Sequence, residues 1–457
     1  MNSKLLVAVL AVLLTACSDG NDSYSTGVAP VQPSSLTVFP MAAPEGAAGS
    51  MQELVFKAAL TAPQPETVSI RYQTRALSAT AGEDYLETSG VAEIAAGELE
   101  ANIVVELLGD ATEEIAETFQ LDISSSENAE PTSTEIVGTI ANDDTVCDSP
   151  YIKADPNRWR VNGGDPLNYA HRGGVIDFPE NTLYAYAEVA KAGADVLEMD
   201  VYQTLDNELV IIHDLDVDRT TNGSGNIRDL TLAQLRELDA AYWFVEGEGT
   251  PHDQPEEAYS FRGIASGDVP PPAGYRAEDF QIPTLEEALQ RFPHELINVE
   301  LKPDLDGVGN YEQQVADLLQ RYGRHDDLIA ASFVDEAANN FKAVAPCVHT
   351  SVPLDQGTLL VLGSLGDTPM PPVPEHVAFQ VPPDTSQIGQ VDIFLQVLTE
   401  DFVTDSHNSN LAVQVWTINT CEDMLWVMGF GVDAIMTDRP LLLEELLNTP
   451  ADQRSCD

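Results

Sequence analysis

Basic residues are scarce in this chain. It has 21 Lys and Arg against 75 Asp and Glu, giving a net charge of -54 at pH 7 and a sequence pI near 4.1. A polyanion gains nothing from meeting such a surface, so nucleic acid is excluded as a partner. The balance suits salty surroundings, and carboxylates can hold divalent cations only where they cluster. Cysteine is scarce too: there are five, and none has a neighbour at CxxC spacing, which argues against a zinc-thiolate centre. The N-terminal apolar run, Leu5 to Leu14, is too short to span a bilayer as a mature helix. No glycine-rich nucleotide loop is present, and Gly173-Gly174 alone is no such fingerprint.

What is present begins with an export signal. Lys4 and the apolar run lead into Leu14-Thr15-Ala16-Cys17, which resembles a bacterial lipobox. The resemblance implies a signal peptide over residues 1–17 and lipidation at Cys17; an ordinary signal peptide cut nearby is the alternative. Ser18 after the cysteine is similar to signals that direct lipoproteins to the outer membrane, facing periplasm or cell surface. Residues 18–34 are a Ser/Gly/Asp/Pro-rich tether, reaching at most roughly 60 Å when extended. An exported compartment permits disulfides. Cys147, Cys347, Cys421 and Cys456 allow three full pairings, and Cys147 with Cys456, which flank the C-terminal segment, is one plausible bond.

Residues 35–146 have the texture of an all-β sandwich, with short alternating runs such as Val68–Tyr72 and Ile103–Leu107 separated by turn residues. Ala79–Tyr85, Gly109–Glu114, Glu117–Phe119 and Gly138–Ile140 followed by Asn142–Asp144 make the segment resemble a Calx-β domain, an immunoglobulin-like fold. In the exchanger form of that domain, loop carboxylates bind calcium. The corresponding residues here are Glu45, Asp84, Asp110, Glu114, Glu117, Asp143 and Asp144. Gly109 stands where the exchanger has another aspartate, so a spacer without calcium is the competing expectation.

Residues 147–166 read as a linker, and from Leu167 strands and helices alternate. The strands expected are Asn168–Ala170, Val196–Val201, Leu209–Ile212, Ile297–Lys302, Leu328–Phe333, Val348–Leu354, Val413–Ile418 and Ala434–Met436. This count predicts an α/β TIM barrel, (β/α)8, over residues 167–445, with a doubly wound sheet as the alternative. A helix opens near Pro179–Thr182, which read structurally is only a helix start with Asn181 as cap, and Thr284–Glu287 fits a capping box. The long acidic Pro/Gly-rich stretch 245–279 reads as an insertion, either a substrate-side lid or a floppy loop. Residues 446–457 are a C-terminal tail.

Side chains alternate along a strand, so Glu198 and Asp200 share one face, and Glu300 and Lys302 share another. Carboxylates pointing into a barrel need a cation, and three oxygen donors suit magnesium or calcium. His171 and His213 end strands, where barrel enzymes gather their active sites, and imidazoles serve as acid and base near neutral pH. Arg172 offers a fork for a phosphate, and Lys302 adds charge. Singly, each of these residues has a bland structural reading; it is the set that points to chemistry.

That set resembles a glycerophosphodiester phosphodiesterase. The shared stretches are His171-Arg172-Gly173, Pro179–Thr182, Glu198 with Asp200, His213-Asp214, Asp218–Gly225, Ile282–Glu287, Asn298–Pro303, Val415–Asn419 and Asp433–Pro440. The resemblance implies metal-dependent hydrolysis of a glycerophosphodiester to an alcohol and sn-glycerol 3-phosphate. It implies His171 and His213 as the acid/base pair and calcium or magnesium on Glu198, Asp200 and Glu300. Arg172 and Lys302 would meet the phosphate, and Trp416 would line the glycerol or alcohol side. Two other expectations stay open: a phospholipase acting on intact or lyso-phospholipids with the same barrel, or a calcium-dependent surface-binding protein with the barrel as scaffold.

Overall fold

A computed structural model describes residues 34–151, 153–154, 157–302, 311–366, 373–387 and 394–456. The leader, Cys17 and the tether up to residue 33 lie outside the described residues. Among the described residues, no helix is long and apolar enough to cross a membrane.

Among the described residues, nine strands precede residue 142: β1 (Ser35–Val38), β2 (Met41–Pro44), β3 (Met51–Leu60), β4 (Val68–Ala76), β5 (Ser89–Ile94), β6 (Glu100–Leu108), β7 (Glu117–Glu127), β8 (Glu130–Pro131) and β9 (Glu135–Ala141). They form two sheets, in the orders β6-β3-β1-β8 and β2-β9-β7-β4-β5. The alternation read from sequence is the physical cause. In β6, Ile103, Val105 and Leu107 are buried while Asn102 and Glu106 are exposed. Inward residues of both sheets meet around Phe56, Phe119 and Tyr85, with the Tyr85 ring stacked 4.6 Å from Phe119. Burying each such side chain stabilises the sandwich by about 1.5–3 kcal/mol.

The second body is an eight-stranded parallel barrel. Its strands are β10 (Leu167–Ala170), β11 (Val196–Gln203), β13 (Leu296–Leu301), β14 (Leu328–Ala331), β15 (His349–Thr350), β16 (Ala378–Val381), β17 (Ala412–Val415) and β18 (Ala434–Thr437). β10 pairs with both β11 and β18, and one bridge between Ser351 and Ala378 joins β15 to β16, closing the ring. The helices that bear on the argument are α1 (Leu183–Ala192), α2 (Leu232–Leu235), α3 (Leu285–Arg291), α4 (Glu312–Arg321), α5 (Asp335–Val344) and α6 (Leu354–Leu365). Leu197, Met199 and Val201 join Leu183, Tyr186, Val189 and Leu289 in the core between strands and helices.

Two strand assignments need correction. Leu209–Ile211 (β12) is not a barrel strand; it pairs antiparallel with Val201–Gln203 of β11. The missing barrel strand is β16, in the stretch between the strands expected at Val348–Leu354 and Val413–Ile418. A short apolar run has no direction in its composition, so β12 imitated a parallel strand. Four expected strands also end early: Ile297–Lys302 stops at Leu301, Leu328–Phe333 at Ala331, Val348–Leu354 at Thr350, and Val413–Ile418 at Val415.

The expected linker proves to be a fitted strap. Trp159 is fully buried and its indole N–H donates to His349 Nδ1 at 2.8 Å. Lys153 Nζ donates to the carbonyls of Val373, His376 and Ser409 at 2.9–3.2 Å. All these partners precede or begin barrel strands, so the strap seals the N-terminal end of the barrel. The disulfides pair Cys147 with Cys347 and Cys421 with Cys456, which replaces the expected Cys147–Cys456 bond. The first ties the strap to the segment ahead of β15; the second fastens the C-terminal tail, where Arg454 also pairs with Asp165 at 2.7 Å.

The sandwich rests on the barrel through α3 and α4. Thr139 Oγ1 and His294 Nε2 are 3.1 Å apart, Gln320 Nε2 donates to the Asp143 carbonyl at 3.3 Å, and the guanidinium of Arg291 lies 4.4 Å from the Phe39 ring centre. The 245–279 insertion is folded rather than floppy. Arg262 lies over the rings of Tyr242 and Tyr259, 4.0 Å from each, and Phe261 packs against Phe280 and Tyr184.

Candidate active site

The barrel's C-terminal end collects the ionisable residues. β10 ends in a tight turn in which Arg172, Gly173 and Gly174 all take positive φ, at 53°, 79° and 91°. A Cβ on Gly173 would approach the Ala185 side chain to 2.9 Å, so glycine lets α1 pack directly on the turn. The turn aims the Arg172 backbone N–H at Glu198 Oε2, 2.9 Å away. Its guanidinium lies 3.5 Å from both Asp200 and Glu180.

Glu198, Asp200 and Glu300 bring carboxylate oxygens within 4.8 Å of one another. The register that pairs Asp200 with Glu300 across β11 and β13 sets this spacing. Lys302 Nζ sits 3.0 Å from Asp200 and 2.8 Å from Glu300. Burial, then Asp200 and Glu300, push the Glu198 carboxyl well above the usual range. Burial pushes Asp200 upward too, but Lys302 and Arg172 outweigh it and hold this carboxyl low. The cluster is a buried, all-oxygen, hard donor set with one carboxylate short of positive charge, which fits a divalent cation.

Each histidine has its own carboxylate. His171 Nδ1 lies 2.6 Å from Asp438 Oδ1, and His213 Nδ1 lies 2.8 Å from Asp214 Oδ1. His171 Nε2 lies on the other side, 4.0 Å from Glu198. Asn419 Nδ2 donates to Asp438 at 2.6 Å, and Arg219 Nε to Asp214 at 2.5 Å. Arg219 also makes a two-pronged contact with Glu180, at 2.6 and 2.8 Å. Burial pushes Asp214 upward, yet the His213 and Arg219 hydrogen bonds hold it well below the usual range; Asp438 is likewise held low against burial, chiefly by His171.

Glu180, Asp214, Arg219, Asn419 and Asp438 join the site without an expected role, although all lie in or beside the shared stretches. The α1 cap is Thr182, not Asn181. Thr182 accepts from the Ala185 N–H at 3.1 Å. Asn181, at φ 56°, instead donates to Asp200 at 3.2 Å and accepts from the Tyr186 hydroxyl at 2.6 Å. Trp416 lies at the mouth with its ring 5.4 Å from Phe333, and its Nε1–H reaches no acceptor among the described residues. Lys302 is committed to carboxylates here, so its place is between the triad members.

The insertion reaches this site. His252 Nε2 donates to the Arg219 carbonyl at 2.9 Å, and Arg219 reaches Thr250 Oγ1 at 3.4 Å. In the sandwich, six of the seven expected carboxylates fall into two groups, Glu45 with Asp110 and Asp144, and Asp84 with Glu114 and Glu117. Asp143 lies outside both and accepts from the Gly46 N–H at 3.2 Å. Burial, then neighbouring acids, raise Glu45 and Glu117 to about 7 each.

The glycerophosphoryl diester phosphodiesterase family model matches residues 171–442, and the Calx-beta domain model matches residues 46–145. The chain belongs to the glycerophosphoryl diester phosphodiesterase family, is an enzyme of that class, and carries a Calx-beta domain ahead of the barrel. It is 31% identical to YhdW of Bacillus subtilis, provisionally assigned as a glycerophosphodiester phosphodiesterase, over 59% of this chain and 93% of that one. It is 29% identical to a glycerophosphodiester phosphodiesterase of Caldanaerobacter subterraneus, over 62% of this chain and 96% of the other. A solved glycerophosphoryl diester phosphodiesterase domain from Mycobacterium tuberculosis aligns with 62% of this chain and 98% of its own, at 21% identity and a TM-score of 0.49.

Proposed function

We propose that the barrel hydrolyses glycerophosphodiesters to an alcohol and sn-glycerol 3-phosphate, with His171 and His213 as the acid/base pair. The observation that carries this reading is the pair of His–Asp contacts flanking the Glu198, Asp200 and Glu300 cluster. Asp438 accepts the Nδ1–H of His171, which leaves Nε2 to exchange a proton inside the site; Asp214 does the same for His213. One Nε2 takes the proton of the attacking hydroxyl, the other gives a proton to the departing alkoxide, and one water is consumed overall. Arg172 contacts the phosphate, and Trp416 borders the alcohol side. Glu198, Asp200 and Glu300 would hold calcium or magnesium, and Lys302 would keep Asp200 and Glu300 in place. When bound, such a cation stabilises charge on the phosphoryl oxygens and lowers the pKa of an attacking hydroxyl.

Purified protein with added calcium or magnesium is expected to release glycerol 3-phosphate from glycerophosphocholine, with chelator sensitivity. His213→Ala should lower the rate by at least about 10²; equal release by wild type and variant would end the reading. The two acidic groups of the sandwich are read as calcium sites. The export and lipid-anchor reading rests on residues 1–17, and the two disulfides support an oxidising compartment.

A further inference from the structure

The barrel mouth is chemically divided. β10, β11, β13 and β18 carry the ionisable residues of the site, whereas the loops leaving β14, β15, β16 and β17, which are consecutive around the ring, carry Phe333, Leu354, Phe394 and Trp416. Phe394 is 69% exposed. The apolar character continues down the outside of the barrel on α6, whose sequence LDQGTLLVLGSL holds one ionisable residue in twelve.

α6 is apolar on both faces. Gly357, Leu360, Val361 and Ser364 are buried, as packing on the barrel requires, while Leu359 (71% exposed), Leu362 (52%) and Leu365 lie in solvent with Leu354. A helix apolar all round is ordinarily buried on all sides. At 100° per residue, Leu354, Leu362 and Leu365 share one stripe and Leu359 borders it. The stripe starts at the mouth and runs the length of the helix, about 18 Å. Asp355, the one charge on α6, is exposed in the first turn at the mouth end of this stripe, and its backbone N–H donates to the Asp335 carboxylate of α5 at 2.9 Å.

We propose that this face, from Phe394 and Leu354 at the mouth along Leu359, Leu362 and Leu365, rests on a lipid surface, so that the site draws phosphodiesters from a membrane or micelle. Charge selects this occupant. The chain carries -54, and nearly any other face would bring carboxylates against a low-dielectric surface at a desolvation cost. The α6 stripe holds a single carboxylate, Asp355 in its first turn, which can stay at the edge of such a surface while Leu359, Leu362 and Leu365 enter it, and the stripe is continuous with the mouth. A large exposed apolar patch beside a site marks an interaction surface. The surface expected is zwitterionic, because an anionic one would repel the rest of the chain. The orientation of the mouth rests on the proposed phosphodiesterase reading; attachment itself does not.

The test uses protein beginning at Ser18, which retains every described residue and lacks both the apolar leader and Cys17. Co-sedimentation with phosphatidylcholine vesicles is compared for wild type and Leu359→Asp/Leu362→Asp. The expected result is a loss of vesicle-bound protein of about tenfold or more in the variant. Its turnover of glycerophosphocholine should be unchanged, and its turnover of lysophosphatidylcholine reduced only above the micelle concentration. No binding by wild type, or binding equal in both proteins, overturns the proposal. A wild-type dimer in sedimentation analysis that the variant breaks, without vesicle binding, overturns it in favour of a second copy. If vesicle binding follows α6 but neither substrate is hydrolysed, the surface stands and the phosphodiesterase reading falls.

Discussion

Asp438 accepts the Nδ1–H of His171 at 2.6 Å, although 267 residues separate them. The contact exists because β10 and β18 are neighbours, with Ala170 beside Thr437. The last strand of the barrel thus fixes the ring that ends the first.

Asp438→Asn should therefore damage catalysis more than folding. An amide can donate to Nδ1 and turn the ring over to the tautomer with Nε2 protonated, and it no longer stabilises an imidazolium. Expected is a fall in kcat of at least about 10², with KM nearly unchanged and melting temperature shifted little. A variant with wild-type kcat would show that Asp438 only packs. Asp214→Asn should behave the same way for His213.

Arg219 ties three things together: Asp214, Glu180 and the insertion at Thr250 and His252. Lysine cannot replace its fork. Arg219→Lys should lower kcat/KM by about tenfold or more and displace the pH optimum, because His213 loses a fixed partner. Thr250→Val removes one weak contact and should cost much less. An unchanged pH profile in Arg219→Lys would reduce Arg219 to a structural ion pair.

Local signals in the sequence reached far, but only where they were sufficient. The strand alternation that put Glu198 and Asp200 on one face is borne out, as is the Thr284–Glu287 capping box. Direction and neighbour identity are not local properties. β12 and β16 were exchanged because an apolar run reads alike whether parallel or antiparallel. Asn181 looked like a cap because Asn and Thr are both good caps; only the approach of Asp200 shows that Asn181 is diverted and Thr182 takes its place. The strap over residues 147–166 looked like a linker because it has no periodicity, yet Trp159 fills the barrel floor. Asp438 and Asn419 were visible as residues, but their partner is set by barrel closure.

That floor should respond to acid. Burial holds both His349 and His376 down at about 4, against an ordinary 6.5. Both are neutral when folded, while the unfolded chain takes up protons below 6.5. Stability should thus be unaffected above 6.5, fall as pH drops from 6.5 to 4, and level off below. Each histidine can cost up to about 3 kcal/mol across that window. Carboxylates titrate there too, so the informative quantity is a difference. His349→Gln keeps an acceptor for Trp159 and should lose less melting temperature than wild type between pH 7 and 4.5. Equal losses in the two proteins would exclude His349 as the cause.

Salt should act on the surface and spare the site. With 75 acidic against 21 basic residues, most carboxylates have no counter-charge within the chain, and their repulsion opposes the folded state. The Debye length falls from about 8 Å at 0.15 M to about 3 Å at 1 M, so added salt screens surface repulsion. The pairs of Lys302 with Asp200 and Glu300 are buried and at contact, where screening is weak. Raising NaCl from 0.1 to 2 M should therefore raise the melting temperature by several degrees, about what 1–2 kcal/mol gives in a protein of this size. The chelator-sensitive release of glycerol 3-phosphate should survive the same change. A flat or falling melting temperature would mean that the carboxylates are already neutralised within the fold, by bound cations or by raised pKa values such as those of Glu45 and Glu117. Repeating the titration with calcium in place of sodium separates the two, because site binding saturates at low concentration whereas screening keeps rising with ionic strength.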